Sequence, residues 1–192
     1  MRADSNTVEN IVPSNKFYPP HIDKSHSLLR SALIKKKLPS KNHNKKAVII
    51  EAQAGQGKTT LAVQFLEYYN CTYIWYQIGM EDSDPIQLLS SLLTNLCANL
   101  PGFSSPKLTS ILTKGTIGPL DLIPCANILL HDLDKYLTDD IYLVFDDLHL
   151  IAFDGLANRL FEHIIDTSPP QVHFICLTRH PLEIKGKTIR NG

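Results

Sequence analysis

Four short apolar runs recur along the chain: Ala47–Glu51 (AVIIE), Tyr73–Ile78 (YIWYQI), Ile141–Phe145 (IYLVF) and Val172–Leu177 (VHFICL). A strand that is apolar at successive positions is buried on both faces, which requires a sheet covered on both sides. The stretches between the runs carry helical periodicity. Crossovers of helix length make neighbouring strands parallel and their connections right-handed. The fold class is therefore α/β, three layers α/β/α around a parallel sheet. Lys58–Tyr69 places Leu61, Phe65, Leu66 and Tyr69 on one helical face. Asp84 and Pro85 read as an N-cap and first helical residue, ahead of Leu88, Leu89, Leu92, Leu93 and Leu96. Pro101–Leu120, rich in Pro, Gly, Ser and Thr, reads as a loop, and Pro124–Leu137 as a helix. Asp154 can cap a further helix with Leu156, Leu160, Phe161, Ile164 and Ile165 on its core face, which Ser168-Pro-Pro170 stops.

Ligands of such sheets bind beyond the C-terminal ends of the strands. After the first strand comes Ala52-Gln-Ala54-Gly55-Gln56-Gly57-Lys58-Thr59-Thr60. This is a P-loop. Gly55 and Gly57 let backbone N–H groups turn inward around phosphate oxygens without a Cβ in the way. Lys58 can reach β- and γ-phosphates, the Thr59 hydroxyl can bind Mg²⁺, and the helix N-terminus adds partial positive charge. A bare GK[ST] string arises by chance in roughly one chain in ten of this length. Its place between a buried strand and an amphipathic helix gives it weight. A dinucleotide-binding fingerprint is disfavoured, because Thr60 stands where its third glycine or alanine belongs.

The third strand ends in Asp146-Asp147-Leu148-His149. Asp146 would hold the Mg²⁺ shell, and Asp147 is placed to polarise an attacking water as general base. His149 reads as a packed or solvated side chain. After the fourth strand, Thr178-Arg179-His180-Pro181 offers Arg179, whose planar fork suits phosphate oxygens and could distinguish ATP from ADP. In P-loop ATPases with an inserted strand, that fourth strand lies between the P-loop strand and the acidic strand.

The balance of charge divides the chain. Residues 1–46 hold ten Lys/Arg against three Asp/Glu, and the remainder nine against sixteen, for a formal net charge of zero. A bulk basic coat for nucleic acid is thereby excluded. The densest basic stretch, Ile34–Lys46, has six lysines, no acid, and neither arginines nor interleaved aromatics, so it reads as a solvated loop. The apolar fraction of 43% supports a real core. No stretch is apolar enough to span a membrane, and MRADSNTVENIVPSNK lacks the apolar centre of a secretory signal. Cysteines 71, 97, 125 and 176 form no C-x-x-C, which suits buried thiols in a reducing cytoplasm.

The segments AQAGQGKTTL, YIWYQIGMEDSDP, IYLVFDDLHLI and LTRHPLEI, in that order, resemble the ATPase module of the signal-transduction ATPases with numerous domains (STAND). Within these, the chain is most similar to the large LuxR-type, ATP-dependent transcriptional regulators. The resemblance covers Lys16 to Gly192. That family also has alanine at the place of Ala52, instead of the first P-loop glycine. KFYPPHIDKSHSLLRSAL resembles its N-terminal segment near the adenine, where an arginine is usual at the place of Lys24. The resemblance implies a P-loop NTPase that serves as a switch. ADP holds a closed monomer, ATP with an inducer opens it for self-association, and slow Mg²⁺-dependent hydrolysis resets it.

Residues 1–46 then form a leader with a short helix and a Lys-rich loop, and residues 47–192 the P-loop domain. Family members continue into a fifth strand beside the P-loop strand, then helical repeats and a C-terminal DNA-binding helix-turn-helix. The chain stops at KGKTIRNG, about where that strand would begin. It is expected to be truncated there, with Ala47–Glu51 an open apolar edge and only marginal stability. Inducer and DNA would bind through regions outside the chain. The rival readings are an ordinary catalytic P-loop ATPase or kinase, a nucleic-acid-binding module acting through Lys35–Lys46, and an inactive remnant.

Overall fold

The structure is a computed structural model that describes residues 14–22, 32, 34–35, 38, 46–115, 117–151 and 155–181. Lys24, most of the Lys35–Lys46 cluster, Asp154 and the place of the expected fifth strand lie outside the described residues. The strands are β1 (Ala47–Glu51), β2 (Tyr73–Gln77), β3 (Ile141–Asp146) and β4 (Val172–Thr178). They form one fully parallel sheet in the order β1-β4-β3-β2. The last strand is thus inserted between the glycine-loop strand and the acidic strand. Among the described residues, β1 pairs on one side only, with Ala47 opposite Phe174 and Glu51 opposite Thr178.

The helices with both ends among the described residues are α1 (Lys58–Tyr68), α2 (Pro85–Asn99), α3 (Pro106–Lys114), α4 (Leu122–Tyr136) and α5 (Leu156–Thr167). Alternate strand residues feed two separate cores, as a period of two demands. Ile74, Tyr76, Leu143, Phe145, Phe174 and Cys176 face α2, α4 and α5. Trp75, Tyr142, Val144, Ile175 and Leu177 face α1, where Leu61, Phe65 and Leu66 meet them. The sheet is covered on both faces, which is why its strands are apolar on both sides along most of their length.

Several helix details depart from the reading above. Pro101–Leu120 is not all loop, because it contains α3. Pro106 starts that helix, Leu108 is its buried anchor, and Gly115 ends it at φ 66°. The hydroxyls of Thr109 and Thr113 donate back to the Ser105 and Thr109 carbonyls, so polar side chains are absorbed by the helix itself. In α5, Leu156 is 42% exposed, and the small Ala157 is buried in its place. Asp84 does cap α2, accepting from the N–H groups of Ile86 and Gln87. Of the thiols, Cys125 and Cys176 are buried, Cys71 is half-buried and Cys97 is exposed. Lys46 is half-buried: its ammonium donates to the Ser168 and Pro169 carbonyls that end α5, and burial lowers its pKa to about 8.

The leader fastens onto the β2 edge. Lys16, in a short 3₁₀ turn (Ser14–Phe17), reaches Glu81 at 2.6 Å and the fully buried Asp82 at 2.7 Å. Asp82 also accepts from the Tyr76 hydroxyl and the Gly79 N–H, both at 2.7 Å. Phe17 packs on the Tyr76 ring. On the same edge, Asn95 of α2 donates to the Trp75 carbonyl at 2.8 Å, satisfying an edge group in a buried place.

Candidate functional site

The C-terminal tips of β1, β4, β3 and β2 bring together Ala52–Thr60, Arg179, Asp146–Asp147 and Gln77. Ala54, Gly55 and Gln56 are exposed in the loop. Gly55 and Gly57 hold φ 76° and 77°, the left-handed region that glycine enters without a Cβ penalty. Gly57 is the N-cap of α1 and supplies no side chain to cap it. The first-turn N–H groups therefore lack a side-chain cap and carry the positive end of the helix dipole.

Lys58 is only 8% exposed, and its ammonium donates to the Ala52 carbonyl at 2.7 Å and the Gln53 carbonyl at 3.3 Å. The loop thus wraps its own lysine. Next to it, the Thr59 hydroxyl donates to Asp146 Oδ2 at 3.0 Å, joining positions 87 residues apart. Thr60 is half-buried one residue further along α1. Asp146 ends β3 and is nearly buried. Its other oxygen accepts from the Asp147 N–H at 2.9 Å. Burial pushes the Asp146 carboxyl above its ordinary pKa, against the opposing pull of the Thr59 hydrogen bond. Burying a carboxylate costs less when a cation stands beside it.

Asp147 turns away from Asp146 because its backbone is left-handed, at φ 56° and ψ 37°. Its Oδ2 accepts from Gln77 Nε2 at 2.8 Å, and its Oδ1 lies 3.4 Å from Arg179. His149 Nδ1 is 3.8 Å from the same Oδ1, and its ring meets His180 edge-on. Burial lowers the His149 pKa. His149 is accordingly packed, at the rim of the site. The turn that aims Arg179 is set by Thr178, whose hydroxyl donates to the His180 carbonyl at 2.8 Å and accepts the His180 N–H.

Lys58, Thr59, Asp146, Asp147 and Arg179 are therefore neighbours, although they come from three separate stretches of sequence. Gln77 escaped the sequence reading. Its signal was its place at the tip of β2, the same rule that pointed to the others. The oxygens of Thr59 and Asp146 suit a hard cation that keeps most of its water, as Mg²⁺ does. Among the described residues no group of three or more His, Cys, Asp and Glu could hold a metal ion. A cavity of about 320 Å³ lies elsewhere, at the opposite ends of the strands, lined by residues of α4 and the α5–β4 connection. No helix among the described residues is long and apolar enough to cross a membrane.

No protein-family model matches the chain, and no curated protein matches it.

Proposed function

We propose that the chain is an ATP/ADP-binding P-loop NTPase module of the STAND type, working as a switch with slow Mg²⁺-dependent hydrolysis. The observation that carries this reading is the Thr59–Asp146 hydrogen bond. It supports the pairing of a phosphate loop with an acidic strand, two motifs that are weaker evidence apart. Lys58 and the uncapped N–H groups of α1 would hold the phosphates. Thr59 and Asp146 would hold Mg²⁺, which when bound neutralises charge on the β- and γ-oxygens. Asp147 would orient and deprotonate a water, and Arg179 would contact the terminal phosphate. As a switch, γ-phosphate contacts would favour one arrangement of the protein over another, with self-association in the ATP-bound form. DNA and inducer would be met by regions outside this chain.

The test is calorimetric titration of ATP with and without Mg²⁺. In the wild-type chain Mg²⁺ tightens binding by about tenfold, the worth of one charge-assisted contact. Thr59→Val and Asp146→Asn abolish most of that increment. An equal Mg²⁺ effect in all three proteins would contradict the assignment.

A further inference from the structure

The two cationic side chains that a γ-phosphate would meet, Lys58 and Arg179, are both engaged by the protein itself. Lys58 is turned inward onto the Ala52 and Gln53 carbonyls. Arg179 leans on Asp147, 3.4 Å from Oδ1. Asp147 cannot readily follow a departing Arg179, because Gln77 grips its other oxygen at 2.8 Å from the tip of β2. Its left-handed backbone, at φ 56°, also fixes its direction. Arg179 is different. Its backbone is pinned by the Thr178 turn, yet its side chain is 43% exposed and has room to swing. β4 and β2 flank β3, so the arginine and the glutamine hold the carboxylate between them.

We propose that the Arg179–Asp147 ion pair is an autoinhibitory latch, opened by a nucleotide that carries a γ-phosphate. This rests on the ATP-site reading above. A guanidinium fork serves a carboxylate or a phosphate with the same geometry, so the two compete for it. ADP offers no γ-phosphate and leaves the latch closed. ATP draws Arg179 off Asp147, and one event both reads the γ-phosphate and frees Oδ1 to meet water. Gln77 is the positioning residue that keeps Asp147 at the β3 tip throughout.

The test is a double-mutant cycle on the full chain, read by calorimetry with the magnesium complexes of ADP and of the non-hydrolysable β,γ-imido analogue of ATP. Asp147→Asn removes the competitor. It is expected to tighten the analogue about threefold to fivefold, the range of a partly exposed ion pair, and to leave ADP unchanged. In the Arg179→Ala background the same substitution gives no gain. A gain of equal size without Arg179 would show simple repulsion between carboxylate and phosphate, and would overturn the latch. No gain in Asp147→Asn alone would overturn it as well. If neither nucleotide binds in a Lys58-dependent way, the ATP-site reading falls and the latch with it.

Discussion

Lys16 and Asp82 form a buried ion pair whose remaining valences are taken up by Glu81, the Tyr76 hydroxyl and the Gly79 N–H. Removing one partner strands the other. Lys16→Met is expected to cost about 3–5 kcal/mol in urea unfolding, and adding Asp82→Asn to recover part of it. A loss under about 1 kcal/mol would mean that water reaches Asp82 in the fold. The pair was not legible in the sequence, because residues 66 positions apart meet only once the leader lies along the β2 edge. Asp146 carries a prediction of opposite sign. Its pKa is raised by burial, so the folded state binds its proton more tightly than the unfolded chain does. Its charged form therefore weakens the nucleotide-free fold at neutral pH, and the penalty fades as pH falls through the folded pKa. Asp146→Asn should raise the urea midpoint at pH 7 in the absence of Mg²⁺, with a smaller advantage at pH 4.5. An equal effect at both pH values would show that charge is not the cause.

Among the elements, strands were the most legible, because burial on both faces leaves a continuous apolar run. Helix α3 was the least. Pro, Ser, Thr and Lys dominate it, only Leu108 is buried, and its composition is that of a loop. What makes it a helix is local: Pro106 at the start, Gly115 at the end, and hydroxyls bonded back along the turn. An element with one buried side chain, Leu108, and only partly buried Ile111 and Leu112 beside it should open before the sheet does. Amide hydrogen exchange is expected to be faster throughout 106–114 than in β3 and β4, and Leu108→Ala to accelerate it further without shifting the exchange of the strands. Equal protection of α3 and the strands would show that it belongs to the central cooperative unit. The face of α5 was misread at one position, since Ala157 is small enough to approach the core closely and Leu156 is left outside.

At the scale of the molecule, the sheet order makes the site. Placing β4 between β1 and β3 puts Arg179 between the glycine loop and the acid pair, and places Gln77 on the far side of Asp147. The residues Lys58, Thr59, Asp146, Asp147 and Arg179 could be chosen from motif and strand position alone. The internal bonding of Lys58 and Arg179 could not, because it depends on side-chain reach within a finished fold. If the tips form a nucleotide site, ligand must also stabilise the fold by mass action. MgATP at about 100 times its Kd contributes about 2.7 kcal/mol. In a chain of this size that is about 5–10 °C in thermal midpoint. The most direct measurement is the calorimetric affinity of MgATP and MgADP for the wild-type chain beside Lys58→Ala. Binding is expected to depend on Lys58 and to weaken about tenfold or more in the variant. Binding that ignores Lys58, or none by a folded chain, would contradict it.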